Sequence, residues 1–250
     1  MDSPGVRAVS SNQSGPYEHL QEVVGKYATT QYLRPIANHT QTAFGEAVLF
    51  VERFYSEHCK NQSCTSKAII LDSGCGTGDS TLSLARKFKD IPVIGIDKSA
   101  RRLNKAENKS EWSLSTIEQK VVPENVFWVR AELLDFWRLA LDKVLDGSWT
   151  ITHHALYYPN PWPKQSEATR RFHLHPIFKT MMSLSNVTEI RTHWEIYAQE
   201  FCMAARILDN DAECSLCEYK PTTPETAFEK KYSEAGQALW QVVTRRNLPR

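Results

Sequence analysis

The chain has 250 residues, 41% of them hydrophobic and 24% charged, enough to bury one substantial core in a single compact domain with terminal additions. Thirty basic against 29 acidic side chains leave a formal charge of +1, so no global field draws the chain to nucleic acid or membrane, and polyanion binding must come from a local basic patch. A mean hydropathy of -0.45, the lack of an apolar run of spanning length, and a polar start containing Asp2 and Glu18 speak against a membrane span or a secretory signal; the expected location is cytoplasmic, with the nucleus also open.

Residues 1–16, rich in Ser, Asn, Gln, Gly and Pro, read as a disordered polar N-terminus. Residues 17–66 read as a helical extension: in "TAFGEAVLFVERFY", Phe44, Val48, Val51 and Phe54 with Tyr55 recur at helical spacing. From 67 to 250 strands and helices alternate. "KAIILDSG" is a continuous apolar run ending in small residues, as in a buried parallel strand. "STLSLARKF" follows as a helix, "IPVIGID" as a strand, 98–109 as a helix, "ENVFWVRAE" as a strand, "LLDFWRLALDKVL" as a helix, and "SWTITHHALYY" as a fourth strand. "RFHLHPIFKTMMSL" reads as a helix broken at Pro176, and "TEIRTHW" as a fifth strand. In "WEIYAQEFCMAARIL", Trp194, Tyr197, Ala198, Phe201, Ala205 and Leu208 mark one helical face. Two late strands, "AECSLCEY" and "LWQVVTRR", bracket a Pro/Thr-rich loop. This alternation predicts an α/β fold on an open, doubly wound, mostly parallel Rossmann-like sheet.

Six cysteines are too few for a secreted disulfide scaffold. "CSLC" lies in a predicted strand, which turns Cys214 and Cys217 to opposite faces, and Cys59 and Cys64 are distant in sequence. The cysteines therefore read as buried or half-buried free thiols rather than a metal site.

Between the first strand and its helix, "LDSGCGTGDS" spaces Gly74, Gly76 and Gly78 so that the backbone turns tightly and approaches a ligand, with the helix N–H groups behind it. The spacing is not that of dinucleotide pyrophosphate binding. Asp97, followed by Lys98, ends the second strand, where an acid can take both ribose hydroxyls of a nucleoside. Glu132 ends the third strand within reach of an adenine edge, and Asp72 precedes the turn and would face a cationic ligand part. Acids around a glycine turn with no base inside it suit a cationic, phosphate-free nucleoside such as S-adenosylmethionine.

"YYPNPWPK" (157–164) follows the fourth strand and holds three prolines, which rule out a helix interior. Pro159 and Pro161 fix the backbone on either side of Asn160 so that it faces the cofactor cleft. Tyr157 and Trp162 read as packing residues, with a stacking platform for an unpaired base as the functional alternative.

Taken together, "PNPWPK", Arg170–Arg171, "THWEIYA" (192–198) and "TAFE" (226–229), in this order after the glycine turn and Asp97, resemble the tRNA guanine-N7 methyltransferase family of the bacterial TrmB type, over roughly residues 67 to 246. The resemblance implies the class I S-adenosylmethionine-dependent methyltransferase fold and a tRNA partner, and leaves oligomeric state and any partner subunit open. It implies that Asp72, Gly74, Gly76, Gly78, Asp97, Lys98 and Glu132 hold the cofactor. Asn160 stands at the catalytic position, and Lys164, Arg170, Arg171, His193, Thr226 and Glu229 on the substrate side, with Lys164, Arg170 and Arg171 as phosphate contacts.

Two departures matter: Asn160 and His193 stand where the family carries aspartates. The segment "QSEAT" after Lys164 also lacks the family's usual basic residues, and no Pro-Gly-Gly turn precedes the fifth strand. Guanine N7 has an in-plane lone pair, so its methylation needs no base and depends on positioning. An aspartate would offset the positive charge developing on the purine, while Asn160 offers an acceptor without charge; losing one such contact commonly costs about 2.7–4 kcal/mol of transition-state stabilisation. Two alternatives therefore stand beside the methyltransferase reading: a catalytically impaired descendant serving as a binding or regulatory protein, and a methyltransferase with another acceptor.

Overall fold

A computed structural model describes residues 9–58, 66–111 and 122–247; Cys59, Cys64 and the first eight residues of the expected disordered terminus lie outside these. In chain order the elements are α1 (Leu20–Ala28), α2 (Asn38–His58), β1 (Lys67–Ser73), α3 (Asp79–Lys87), β2 (Val93–Asp97), α4 (Ala100–Glu111), β3 (Val126–Arg130), α5 (Leu133–Leu145), β4 (Trp149–Tyr157), α6 (Phe178–Ser183), β5 (Val187–Thr192), α7 (Glu195–Leu208), β6 (Glu213–Glu218), α8 (Ala227–Glu234) and β7 (Trp240–Arg245). The hydrogen-bonded strand order is β3-β2-β1-β4-β5-β7-β6, the doubly wound arrangement expected from the alternation.

The described residues fall into two compact units, one within 34–155 and the other made of 9–33 with 156–247. In the 34–155 unit, the apolar runs become parallel neighbours. β1 pairs with β2 from Ile70↔Val93 to Ser73↔Ile96, and β2 with β3 from Val93↔Val126 to Asp97↔Arg130. Ile69, Ile70, Leu71, Val93, Ile94 and Ile96 are fully buried, so both faces of these strands are covered, as the unbroken apolar pattern requires. Parallel pairing brings the carboxyl ends of all three strands, at Ser73, Asp97 and Arg130, to one edge of the sheet. On α2, Phe44 meets Phe136 edge-on at 5.0 Å between ring centroids and Phe50 stacks on Phe127 at 5.1 Å. Trp137, buried, donates its indole N–H to Ser73 Oγ (2.9 Å), which shares a second hydrogen bond with His154 Nε2 (2.9 Å). This polar chain satisfies the interior beneath the strand end.

In the second, split unit, β5 and β6 both pair antiparallel with β7, which lies between them. The exposed, acid-ended β6 (ECSLCE) is the edge, and the more apolar β7 (WQVVTR) is interior. The predicted broken helix, residues 171–184, resolves into a 3-10 turn at 172–174 and α6, with the break at His175–Pro176, and a further 3-10 turn at 165–170 precedes it. α1 lies within the expected helical extension, whereas α8 falls where no helix was expected, inside the supposed loop, started by Thr226 Oγ1 accepting from Glu229 N (3.0 Å). Residues 9–16 are not loose either: Ser11 Oγ donates to Pro163 O (2.7 Å), and Gln165 N donates to Asn12 Oδ1 (3.1 Å).

The cysteine expectation is corrected in part. Cys202 on the buried face of α7 and Cys214 on β6 form a disulfide, with Cα atoms 5.8 Å apart. Cys217 points to the other face and is exposed, and Cys75 is a buried free thiol.

Candidate functional site

At the carboxyl edge of β1, the three turn glycines all adopt left-handed conformations, with φ of 76°, 59° and 78° at Gly74, Gly76 and Gly78. Gly78 is also demanded by packing, because a Cβ there would lie 2.7 Å from Ala106 Cβ and from Trp128 Nε1. Gly74 and Gly76 differ: a Cβ on either would have nothing nearer than 4.0 Å among the described residues. Open space lies beside both, which leaves room for a ligand against bare backbone.

Asp97 is 3% exposed at the end of β2. Its Oδ2 accepts from Gly76 N (3.1 Å) and its Oδ1 from Ser99 N (2.7 Å), which aims the carboxylate at the turn. Lys98 beside it is exposed, and Glu132, half-buried, begins α5 with its N–H on Thr40 Oγ1 (3.1 Å). Asp72 does not stand at a ligand surface. It is buried, and its Oδ2 accepts from Ser80 Oγ (2.7 Å) and Thr81 Oγ1 (2.6 Å), so it ties the first turn of α3 to β1 from beneath. Burial, with Asp72 and Asp97 nearby, pushes the Cys75 thiol well above its ordinary range, so it stays protonated and is no nucleophile.

In the split unit, the "YYPNPWPK" segment holds two non-glycine residues in left-handed conformations, Tyr158 at φ 53° and Trp162 at φ 46°. Each is strained by about 1–3 kcal/mol and needs outside support. Tyr158 N donates to Arg191 O (2.7 Å), and the exposed Asn160 accepts from Trp162 N through Oδ1 (3.3 Å), closing an Asx-type turn. Lys164 and Arg170 are exposed, and the Arg170 guanidinium lies 4.7 Å from the Trp162 ring centroid. Tyr157 and Tyr158 are buried packing residues.

Arg171 corrects the phosphate-contact expectation. It is 0% exposed, and its Nη1 reaches Glu200 Oε1 and Oε2 at 2.7 and 2.6 Å. Its Nε and Nη2 hold Trp162 O (3.2 and 2.8 Å), Nε also reaches Pro161 O (3.2 Å), and Nη2 bonds Gln13. Glu200, also 0% exposed, accepts from Tyr17 N (2.7 Å) and from His173 Nε2 (2.9 Å). Burial alone would raise the Glu200 carboxyl, but His173 and Arg171 hold it below the usual range. Arg171 is thus the support of the strained loop, out of reach of solvent phosphate.

A second cluster gathers three motif segments. Arg191 pairs with Glu189 (2.7 Å), Glu225 (2.5 Å) and Glu229 (2.9 Å), and its guanidinium stacks between Tyr157 (4.0 Å) and Tyr219 (4.4 Å). Burial alone would lower its pKa, yet Tyr157 and the carboxylates raise it, so it is always charged. Glu229, expected to bind substrate, is fully buried here and braces α8 by accepting from Glu225 N (2.6 Å); Thr226 is the cap of that helix. Above this base four rings stack in near-parallel planes: Tyr158 on Phe228 (5.9 Å), Phe228 on Tyr232 (6.2 Å), and Tyr232 on His193 (4.3 Å). Phe228 is 50% exposed.

Burial lowers the pKa of His173, His175 and His193, in His173 against the pull of Glu200 and in His193 with Lys231 adding to it. His193 is therefore a neutral ring, not a cation. The unfolded chain takes up these protons below about pH 6.5 while the folded chain resists, so stability is intact above that pH and declines as pH falls below it. Urea midpoints should drop between about pH 7 and 5, and His193→Gln should flatten part of that slope; equal midpoints would contradict neutral histidines.

Sequence reasoning missed Phe228, Tyr232, Arg191 and Glu200. Glu200 had a readable signal, since it falls on the same helical face as Tyr197, Phe201 and Ala204. Phe228 stands inside the "TAFE" motif, but the segment read as loop, and only its ends, Thr226 and Glu229, were singled out.

The family model Methyltransf_4, described as "Putative methyltransferase", matches residues 66–242. A tRNA (guanine-N(7)-)-methyltransferase of Neisseria meningitidis serogroup A / serotype 4A is 25% identical over 188 residues, 73% of each chain. That of Saccharophagus degradans is 26% identical over 191 residues, covering 73% of this chain and 77% of that one. That of Mycobacterium avium is 26% identical over 185 residues, 70% and 65%.

Proposed function

The chain belongs to a methyltransferase family whose model spans residues 66–242, and from that premise we propose that it transfers a methyl group from S-adenosylmethionine to guanine N7 of tRNA. The observation that carries the reading is the convergence of three separate segments, 157–164, 191–193 and 225–232, each overlapping a motif, through Arg191 and the Tyr158–Phe228–Tyr232–His193 stack. Segments distant in sequence are held together around an exposed ring and a strained loop, as a base-recognising surface requires.

The nucleoside side fits the cofactor: Gly74 and Gly76 offer unobstructed backbone, Asp97 the ribose acceptor, and Glu132 an acceptor for the adenine edge, with Asp72 as a positioning group below. Bound S-adenosylmethionine supplies an electrophilic methyl carbon on a positively charged sulfur. The base is presented with its N7 lone pair in line; the N7–carbon bond forms as the carbon–sulfur bond breaks and its electron pair returns to sulfur. No proton moves at N7. Asn160 presents its remaining acceptor capacity and its amide donors to the base edge, Phe228 stacks on it, and Lys164 and Arg170 meet phosphate, so RNA affinity falls with salt.

The test is incubation of the full chain with unmodified tRNA and S-adenosylmethionine, followed by nucleoside mass spectrometry for 7-methylguanosine. Calorimetry with the cofactor alone accompanies it. No cofactor binding ends the enzyme reading. Methyl transfer that appears only after Asn160→Asp with His193→Asp overturns the proposal and identifies the chain as the impaired, binding-type descendant. Phe228→Ala should raise KM for tRNA about tenfold, since base–aromatic stacking is worth about 1–3 kcal/mol, while Phe228→Trp retains affinity and neither changes cofactor binding. An unchanged KM in Phe228→Ala removes the stacking role.

A further inference from the structure

The Asp97 carboxylate is already engaged by a side chain. Arg102, in the first turn of α4, sets Nη2 2.7 Å from Oδ1 and Nε 3.1 Å from both oxygens. Carboxylate oxygens offer about four acceptor sites between them. Backbone N–H groups of Gly76 and Ser99 take one on each oxygen, and the guanidinium fork covers those that remain. A vicinal diol donating to the same carboxylate needs the positions that Arg102 fills. The two pairs of donors are not equivalent: the backbone ones are fixed by the turn and the helix start, whereas the Arg102 side chain is half exposed. Its placement is also unusual, because the first turn of a helix disfavours cations and α4 has no acid in its own first turn. Asp97 is its only ion-pair partner among the described residues.

We propose that Arg102 is an affinity-determining gate of the nucleoside site, a guanidinium that must leave Asp97 before the two ribose hydroxyls can bind there. The inference rests on the cofactor reading of the glycine turn. Its consequence is that nucleoside binding is always a displacement. The ribose replaces a bidentate charge-assisted pair, Arg102 returns to solvent, and the native chain holds its nucleoside less tightly than the acid and turn alone would allow. Because the competition is for the ribose, it applies alike to a sulfonium nucleoside and to its uncharged thioether counterpart.

Calorimetry on the full chain tests this with S-adenosylmethionine and S-adenosylhomocysteine, comparing native, Arg102→Ala and Arg102→Lys, with thermal melts confirming that each variant is folded. Arg102→Ala should bind both nucleosides about three- to tenfold more tightly, given the modest worth of half-exposed ion pairs, and Arg102→Lys should fall between. Raising salt from about 0.05 to 0.5 M should tighten S-adenosylhomocysteine binding to the native chain by screening the pair, and leave Arg102→Ala unaffected. Equal or weaker binding by Arg102→Ala overturns the gate while leaving the cofactor site standing. Tightening for S-adenosylmethionine alone would mean simple charge repulsion, and also overturns it. If neither native chain nor Arg102→Ala binds either nucleoside, the gate and the cofactor reading fall together.

Discussion

Arg171→Ala is expected to destabilise the protein by about 3–5 kcal/mol, because it strands the Glu200 carboxylate in a fully buried setting. Glu200→Ala should cost a similar amount for the converse reason. The pair also has a second function that charge alone does not capture: Arg171 holds Pro161 O and Trp162 O, the carbonyls of the segment that carries a left-handed Trp162. A double replacement, Arg171→Met with Glu200→Leu, separates the two. Hydrophobic replacement of a buried ion pair removes the stranded charge, so urea midpoints should recover part of the loss, the remainder reflecting Tyr17 N and His173 Nε2 left without their acceptor. Loop support should not recover, and amide hydrogen exchange across residues 158–171 should stay faster than in the native chain. If exchange recovers together with stability, Arg171 is only a core charge and does not position the loop.

Arg170 and Arg171 are adjacent and chemically identical, yet one is exposed over Trp162 and the other is enclosed by Glu200, Gln13 and two carbonyls. Local pattern cannot separate them, since the deciding partners are distant in sequence. The same limit hid β7 between β5 and β6: alternation identifies strands, whereas their order is a long-range fact, with only the acid-ended β6 hinting at an edge. Where structure follows from short-range chemistry the reading was firm. The apolar runs of β1 and β2 became interior parallel strands, and the tight glycine turn is present, with all three glycines in left-handed conformations. Asp72 lies between these cases: its place before the turn was legible, but Ser80 and Thr81, which turn it inward, form part of an ordinary helix start.

Asn160→Asp is expected to raise the rate of guanine N7 methylation by about a hundredfold or more, the range given by about 2.7–4 kcal/mol for one transition-state contact. The geometry favours a clean substitution. Asn160 contributes to its own loop through Oδ1, which accepts from Trp162 N, and an aspartate supplies the same oxygen to the same N–H. The Asx-type turn therefore survives, and what changes is the charge beside a purine that becomes cationic as the N7–carbon bond forms. The gain belongs in kcat, with cofactor affinity unchanged, because that charge exists only in the transition state and product. Asn160→Ala is the informative contrast, since it removes the acceptor that closes the turn and should lower activity by disordering the strained loop rather than by altering electrostatics. A rate that falls in Asn160→Asp would mean that the amide N–H groups contact the acceptor. The neutral residue would then be fitted to a substrate edge rich in acceptors, and guanine N7 would give way to the reading in which this methyltransferase modifies something else.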